Sequence, residues 1–245
     1  MRPLEELVRP NIRALRPYST ARDEYAGGEC AGSAVETWLD ANENPFENGI
    51  NRYPDPHQRR LKRQIAALKG IGEERIFLGN GSDECLSLLF AGFCDGGATF
   101  PDVTYGFYKV LGGYYGVKID VVPLKSDFTV GVEDYEGIKR TVFIANPNAP
   151  TGIALSADKI AVLAAQDEHR LVVVDEAYVD FGGETAAGLI KTAKNVVVVR
   201  TFSKSRSLAG GRLGYILAPE NIARDLERLR NSLNPYNVNS VTLAM

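Results

Sequence analysis

Apolar positions along the chain follow two alternating periods. Helical spacing, as in Leu61, Ile65 and Leu68, runs through residues 57–69, 82–93, 105–115, 156–168 and 219–233 and predicts five helices. Between them lie short segments rich in β-branched residues, which predict strands at 75–78, 117–122, 141–145, 171–175, 196–200 and 213–218. The runs LVVVD (171–175) and NVVVVR (195–200) are apolar without alternation, which is what a strand covered on both faces requires. Strands alternating with helices predict right-handed crossovers, a mainly parallel central sheet and an α/β fold of three layers, αβα. In such sheets ligands bind beyond the carboxyl ends of the strands. Residues 1–45 show no sustained period, being broken by Pro3, Pro10, Pro17 and Gly27-Gly28, and read as an arm around a short helix.

Composition narrows the function classes. Of 245 residues 44% are hydrophobic and 24% charged, ordinary usage for a soluble domain with a core. A net charge of -3 and the absence of a basic stripe predict no nucleic-acid partner. The densest basic cluster, Arg59 to Arg63, shares its helix with the apolar face of Leu61 and Ile65, and reads as a solvated face. The apolar runs are far shorter than the roughly 20 residues of a membrane helix, and the N-terminus lacks an apolar leader, so neither a membrane partner nor secretion is expected. Three cysteines, Cys30, Cys85 and Cys94, without metal or CxxC spacing, predict reduced thiols and a cytoplasmic location. No metal site or Ser-His-Asp triad is expected, since His57 and His169 have no partners in the local sequence.

Candidate chemistry gathers in the loops after the strands. GNGSDE (79–84) is a glycine turn before a helix, with Ser82 as its expected N-cap and free N–H groups that suit an anion. It is not a GxGxxG fingerprint, and no GxxxxGK[ST] occurs, so a nucleotide site has little support. Asp175 follows four apolar residues and needs a cation or donor partner if buried. Lys204 follows the strand at 196–200, is surrounded by Ser203, Ser205 and Ser207, and precedes Arg212 by eight positions. A lysine is ordinarily a solvated surface cation. An amine, a carboxylate, hydroxyls and an arginine at neighbouring strand ends are also the parts needed to hold an aldehyde cofactor that carries a ring nitrogen and a phosphate.

The set RPNIRALRPYS, LDANENPF, NRYPDP, LGNGSDE, PDVTYGFY, NPNAPTG, VVVDEAYVDF, TFSKSRSLAGGRLGY and NPYNVN, in this order and spacing, resembles pyridoxal-phosphate aminotransferases of fold type I, and most closely the histidinol-phosphate aminotransferase family. The resemblance implies pyridoxal 5'-phosphate as cofactor, covalently linked to Lys204, which would also shuttle the proton at the substrate's Cα. Asp175 would pair with the ring nitrogen, Tyr178 with the ring oxygen, and Tyr105 would stack on the ring. Ser82, Asp83, Ser203 and Arg212 would take the phosphate, with Tyr53 reaching the site of a partner subunit in a homodimer and Tyr18 lying near the substrate. The implied reaction passes an amino group from histidinol phosphate to 2-oxoglutarate, as in histidine biosynthesis. Alternatives are a decarboxylase of the threonine-phosphate type and an inactive cofactor-binding module.

Two departures from the family pattern stand out. Ala149 occupies the place of the asparagine that usually contacts the ring oxygen, so Asn148 or Tyr178 would have to serve. The chain stops at NSVTLAM inside an apolar pattern with no capping signal, so truncation is expected, with the small C-terminal domain largely missing. The expected organisation is an arm and part of the small domain over 1–45, a large cofactor-binding domain over 46–235, and the start of the C-terminal region over 236–245. A lysine with an ordinary pKa of about 10.4 is a poor nucleophile at neutral pH, so Lys204 is expected to be desolvated or close to a cation such as Arg212. Asp175 is expected to stay ionised.

Overall fold

The computed structural model describes residues 8–16 and 41–245 of the chain. Its strands are β1 (Ile76–Asn80), β2 (Ala98–Pro101), β3 (Ile119–Val122), β4 (Thr141–Ala145), β5 (Val172–Asp175), β6 (Val196–Thr201) and β7 (Leu213–Leu217). They form one sheet in the order β1-β7-β6-β5-β4-β2-β3. Pairing is parallel from β3 through to β6, whereas β7 runs antiparallel to both of its neighbours, β1 and β6. The helices are α1 (Pro10–Arg13), α2 (Arg59–Lys69), α3 (Gly81–Phe93), α4 (Phe107–Tyr114), α5 (Ala157–Ala165), α6 (Glu220–Leu233) and α7 (Ser240–Ala244).

Successive residues of the central strands feed two separate cores. Phe143, Val173, Val197 and Val199 pack on one side with α3, α4 and α6, through residues such as Leu89, Tyr108 and Leu226. Ile144, Val172, Val174, Val196 and Val198 pack on the other with Ile65 of α2 and Ile160 and Leu163 of α5. This is the three-layer α/β arrangement that the unalternating valine runs predicted. Each buried valine contributes roughly 1.5–3 kcal/mol, so neither face of β5 or β6 tolerates a polar residue without a partner. Val8 and Ile12, from the short stretch around α1, cover the first core.

Four sequence expectations shift. The strand β2 was not expected; its four residues, ATFP, are all buried and carry no alternation from which a strand could be read. Helix α2 begins at Arg59 rather than at 57, because the Asp55 carboxylate holds the N–H groups of His57 and Arg59 at 3.0 and 2.9 Å while Gln58 sits in the left-handed region at φ 48. Ser82 is not the N-cap of α3: Asn80 takes that position, its N–H bonded to Glu84 Oε2 at 2.6 Å. The last residues do carry a cap, Asn239, whose side chain accepts from the Thr242 N–H at 2.9 Å to start α7.

Two buried polar networks brace the loops beyond the sheet. In one, Arg200 at the end of β6 meets Glu176 at 2.7 Å and Asp180 at 2.9 Å, with the Glu176 side chain fully inaccessible. Glu176 also accepts from the Thr185 hydroxyl and the Ala186 N–H. Removing the carboxylate in Glu176→Ala leaves a buried guanidinium short of its partner. Chemical denaturation should therefore show a loss of about 3 kcal/mol, the lower end for breaking a buried pair, since Asp180 remains. In the other network, Asn237 donates to Leu78 O at 3.0 Å and to Glu84 Oε2 at 2.6 Å, which ties the NPYNVN segment to the first turn of α3.

Candidate active site

Three adjacent parallel strands release their loops side by side. Ala145 ends β4, Asp175 ends β5, and Thr201 ends β6, with Ala145 in register with Asp175 and Asp175 with Val199. A cavity of about 200 Å³ opens at this edge. Eight of the residues singled out from the sequence line it: Lys204, Asp175, Tyr178, Tyr105, Ser82, Asp83, Ser203 and Arg212.

Asp175 forms the floor. It is 5% exposed, and its carboxylate accepts from the Tyr108 hydroxyl at 2.8 Å and from the Ala177 N–H at 3.2 Å. Burial pushes its pKa from 3.8 up to about 6; the two hydrogen bonds oppose that rise, and the nearby Asp83 and Glu176 add to it. The acid is therefore ionised at neutral pH but sits close to its titration, as suits a buried anion with no ion pair among the described residues.

One end of the cavity suits an anion. The first turn of α3 presents the backbone N–H groups that have no partner within the helix, and Arg212 stands against it, with Nη2 3.0 Å from Asp83 Oδ2. Two glycines make this approach possible. Gly81 has φ 79, and a Cβ there would lie 2.6 Å from Arg212 Nη2. A Cβ on Gly214 in β7 would lie 2.4 Å from the Ser82 nitrogen and 2.5 Å from the Gly81 carbonyl carbon, both backbone atoms that cannot swing aside. Gly214→Ala should therefore push the helix start outward and weaken phosphate binding, with a stability loss of about 1–3 kcal/mol from overpacking. Titration with inorganic phosphate and a thermal melt would measure both. Arg212 itself is held at φ 49, a left-handed conformation that a non-glycine residue adopts at a cost.

Lys204 faces the cavity from the loop after β6. Its Nζ lies 5.2 Å from the ring centroid of Tyr178. The residue is exposed, so of the two expected alternatives desolvation is not what is found, while Arg212, the cation of the other, lines the same space. The next residue is anchored: the Ser205 hydroxyl donates to Asp180 Oδ2 at 2.5 Å, and Asp180 in turn pairs with Arg200. Tyr105 closes another side. Its hydroxyl reaches Asp83 Oδ1 at 3.4 Å, and burial followed by the Asp83 charge pushes its pKa up to about 12.

Two expected site residues, Asn148 and Tyr53, lie elsewhere. Asn148 is 4% exposed and does not line the cavity; its amide accepts from the Thr104 hydroxyl at 2.7 Å and donates to Val103 O at 3.0 Å and the Thr151 hydroxyl at 3.1 Å. Ala149 lines the cavity in its stead. Tyr53 is about half exposed, outside the cavity, and stacks on Tyr236 with ring centroids 4.3 Å apart. Tyr18 lies outside the described residues. The sequence reading missed Tyr108, although it falls three positions after Tyr105 on the same predicted helix, and it missed Gly214, which lies inside the quoted GGRLGY.

A lysine, a buried carboxylate and an arginine beside a helix start, at the carboxyl ends of a mainly parallel sheet, define the large domain of a fold-type-I transferase. The chain belongs to the aminotransferase class I and II family, whose sequence profile matches residues 24–245. It is 40% identical, over 96% of its length, to histidinol-phosphate aminotransferase 1 of Bradyrhizobium diazoefficiens, of which it covers 69%. A solved structure of histidinol-phosphate aminotransferase from Sinorhizobium meliloti, in complex with pyridoxal-5'-phosphate, matches with a TM-score of 0.72 at 25% identity, over 79% of this chain and 55% of that one. The L-threonine-O-3-phosphate decarboxylase of Porphyromonas gingivalis shares the fold, with a TM-score of 0.70 at 24% identity, over 79% of this chain and 61% of that one. The first curated relatives are covered over 58 to 69% of their length.

Proposed function

We propose that the chain is the large part of a pyridoxal-phosphate-dependent aminotransferase, with histidinol phosphate as amino donor and 2-oxoglutarate as acceptor, working in the cytoplasm as a homodimer. The observation that carries this reading is the single cavity shared by Lys204, Asp175 and Arg212. Its donor set fits the cofactor part by part: an amine for the aldehyde, a buried acid for the ring nitrogen, and a helix start with an arginine for the phosphate. The relationship to histidinol-phosphate aminotransferases supports the choice of donor.

When bound, pyridoxal phosphate supplies a ring that withdraws the electron pair left at a substrate's Cα. The residues of this chain prepare for that event. Asp175, anionic at neutral pH and shut off from water, holds a ring nitrogen in its protonated form. Tyr178 donates to the ring oxygen, a role that falls to it because Asn148 is committed to Thr104, Val103 and Thr151. Tyr105 covers the ring. Lys204 Nζ would hold the cofactor's aldehyde carbon and, once a substrate amine had displaced it, would be the free base that moves the proton at the substrate's Cα. Arg212 and the Ser82 and Asp83 N–H groups hold the phosphate, and Ser203 adds a hydroxyl. Tyr53, which does not line its own cavity, is assigned to the partner subunit's site, and Tyr18 to the substrate.

Mixing the pyridoxal-phosphate-loaded protein with one amino donor at a time tests the assignment. Histidinol phosphate should give the ketone and the amine form of the cofactor, with no carbon dioxide released. Carbon dioxide from threonine phosphate, with no amine form from histidinol phosphate, would replace the transaminase by the decarboxylase.

A further inference from the structure

We propose that Tyr108 is a positioning residue for Asp175: its hydroxyl holds the carboxylate in its ionised form and turns one edge of it toward the cavity. The inference rests on the cofactor reading above, and it concerns a residue that does not touch the cavity. Tyr108 is completely buried, and its hydroxyl lies 2.8 Å from Asp175 Oδ2. Burial, followed by the Asp175 charge, pushes the phenol's pKa well above its ordinary value, so it stays protonated and serves only as a donor in this bond. The ring cannot wander. Phe100 and Phe143 lie at centroid distances of 5.5 and 5.6 Å, and Tyr105 meets it edge-on at 5.6 Å and 87°. A fixed ring fixes its oxygen, and the oxygen fixes the carboxylate.

Asp175 needs such a donor. Asp83 from α3 and Glu176 beside it both favour its protonated form, as does burial, while the Tyr108 hydroxyl and the Ala177 N–H oppose them. Lys204, Arg212 and Tyr105 line the same cavity. A neutral carboxyl would not keep a ring nitrogen protonated. The hydroxyl of Tyr108 therefore acts on the reaction through Asp175, from inside the first core.

Tyr108→Phe removes one oxygen and keeps the aromatic cluster. Pyridoxal phosphate affinity would be measured from pH 5 to 8.5 for the parent and the variant, alongside a thermal melt. The low-pH limb, where Asp175 takes up its own proton, should move up by about one pH unit, the scale of one hydrogen bond to a charged group. At pH 8.5 the two affinities should agree within about threefold, less than half the free energy of one such bond. The control is a carbocyclic analogue with C–H in place of the ring nitrogen, for which the two profiles should coincide. Difluorotyrosine at position 108, a stronger donor of nearly the same shape, should move the limb the opposite way, and it keeps the test open if the phenylalanine variant misfolds. Superimposable limbs, or an equal loss of affinity at every pH and for both cofactors, would overturn the proposal and leave Tyr108 as packing. A parent protein that binds no pyridoxal phosphate would overturn the cofactor reading, and this proposal with it.

Discussion

Lys204→Ala should lower turnover of an amino donor by about 10⁴-fold, the upper range for removing a positioned acid-base group. The protein should remain folded. The side chain is exposed, its recorded contact is with the face of the Tyr178 ring, and surface substitutions of this kind usually stay within about 0.5 kcal/mol. Retained cofactor affinity through Arg212 and the start of α3, together with lost turnover, is the combined signature. Absorbance spectra and steady-state rates on the same preparation would show it, and turnover at the parent rate would remove the assigned base.

Asp175→Asn should move stability and activity in opposite directions. In the folded protein without cofactor the carboxylate titrates at about 6 instead of 3.8. Between those values the folded state holds a proton that the unfolded chain has released, so this group's contribution to stability is greatest below about pH 4 and is lost as pH rises through 6. Two units at about 1.4 kcal/mol each make Asp175 a liability of about 3 kcal/mol at pH 7.5. An amide does not ionise and can still accept from Tyr108, though the bond from the Ala177 N–H is sacrificed at about 1 kcal/mol. The net expectation is a variant about 2 kcal/mol more stable at pH 7.5, with no gain at pH 4. Activity should fall by about 10²- to 10³-fold, because a preorganised charge facing the ring nitrogen is gone. Urea denaturation at the two pH values checks the first effect. A stabilised protein that works less well is the pattern expected where a fold sacrifices stability for a site.

The parts of this molecule that the sequence exposed share a physical reason. Strands such as β5 and β6 are covered on both faces, so their valine runs could be read without any knowledge of their neighbours, and Asp175, which ends the first, and Ser203 and Lys204, which follow the second, fall at the strand exits. What stayed hidden depends on geometry at a distance. Tyr108 matters because α4 lays it under the end of β5, a placement that no local pattern encodes. Asn148 looked available, yet the Thr104 hydroxyl and Val103 carbonyl, more than forty positions earlier, occupy its amide. Ser82 looked like a cap until Gly81, at φ 79, let the cap fall two residues earlier, at Asn80. β7 reads as an ordinary strand, and nothing local in it marks that it returns antiparallel to β6 after the connection over 202–212.

The central claim is that one amine, Lys204, captures an aldehyde whose ring nitrogen rests on Asp175. Incubation with pyridoxal phosphate, reduction with borohydride and peptide mass mapping would test it most directly. A single modified peptide, the one that contains Lys204, is the expected result. A label on another lysine, or a folded protein that takes up no label, would contradict it.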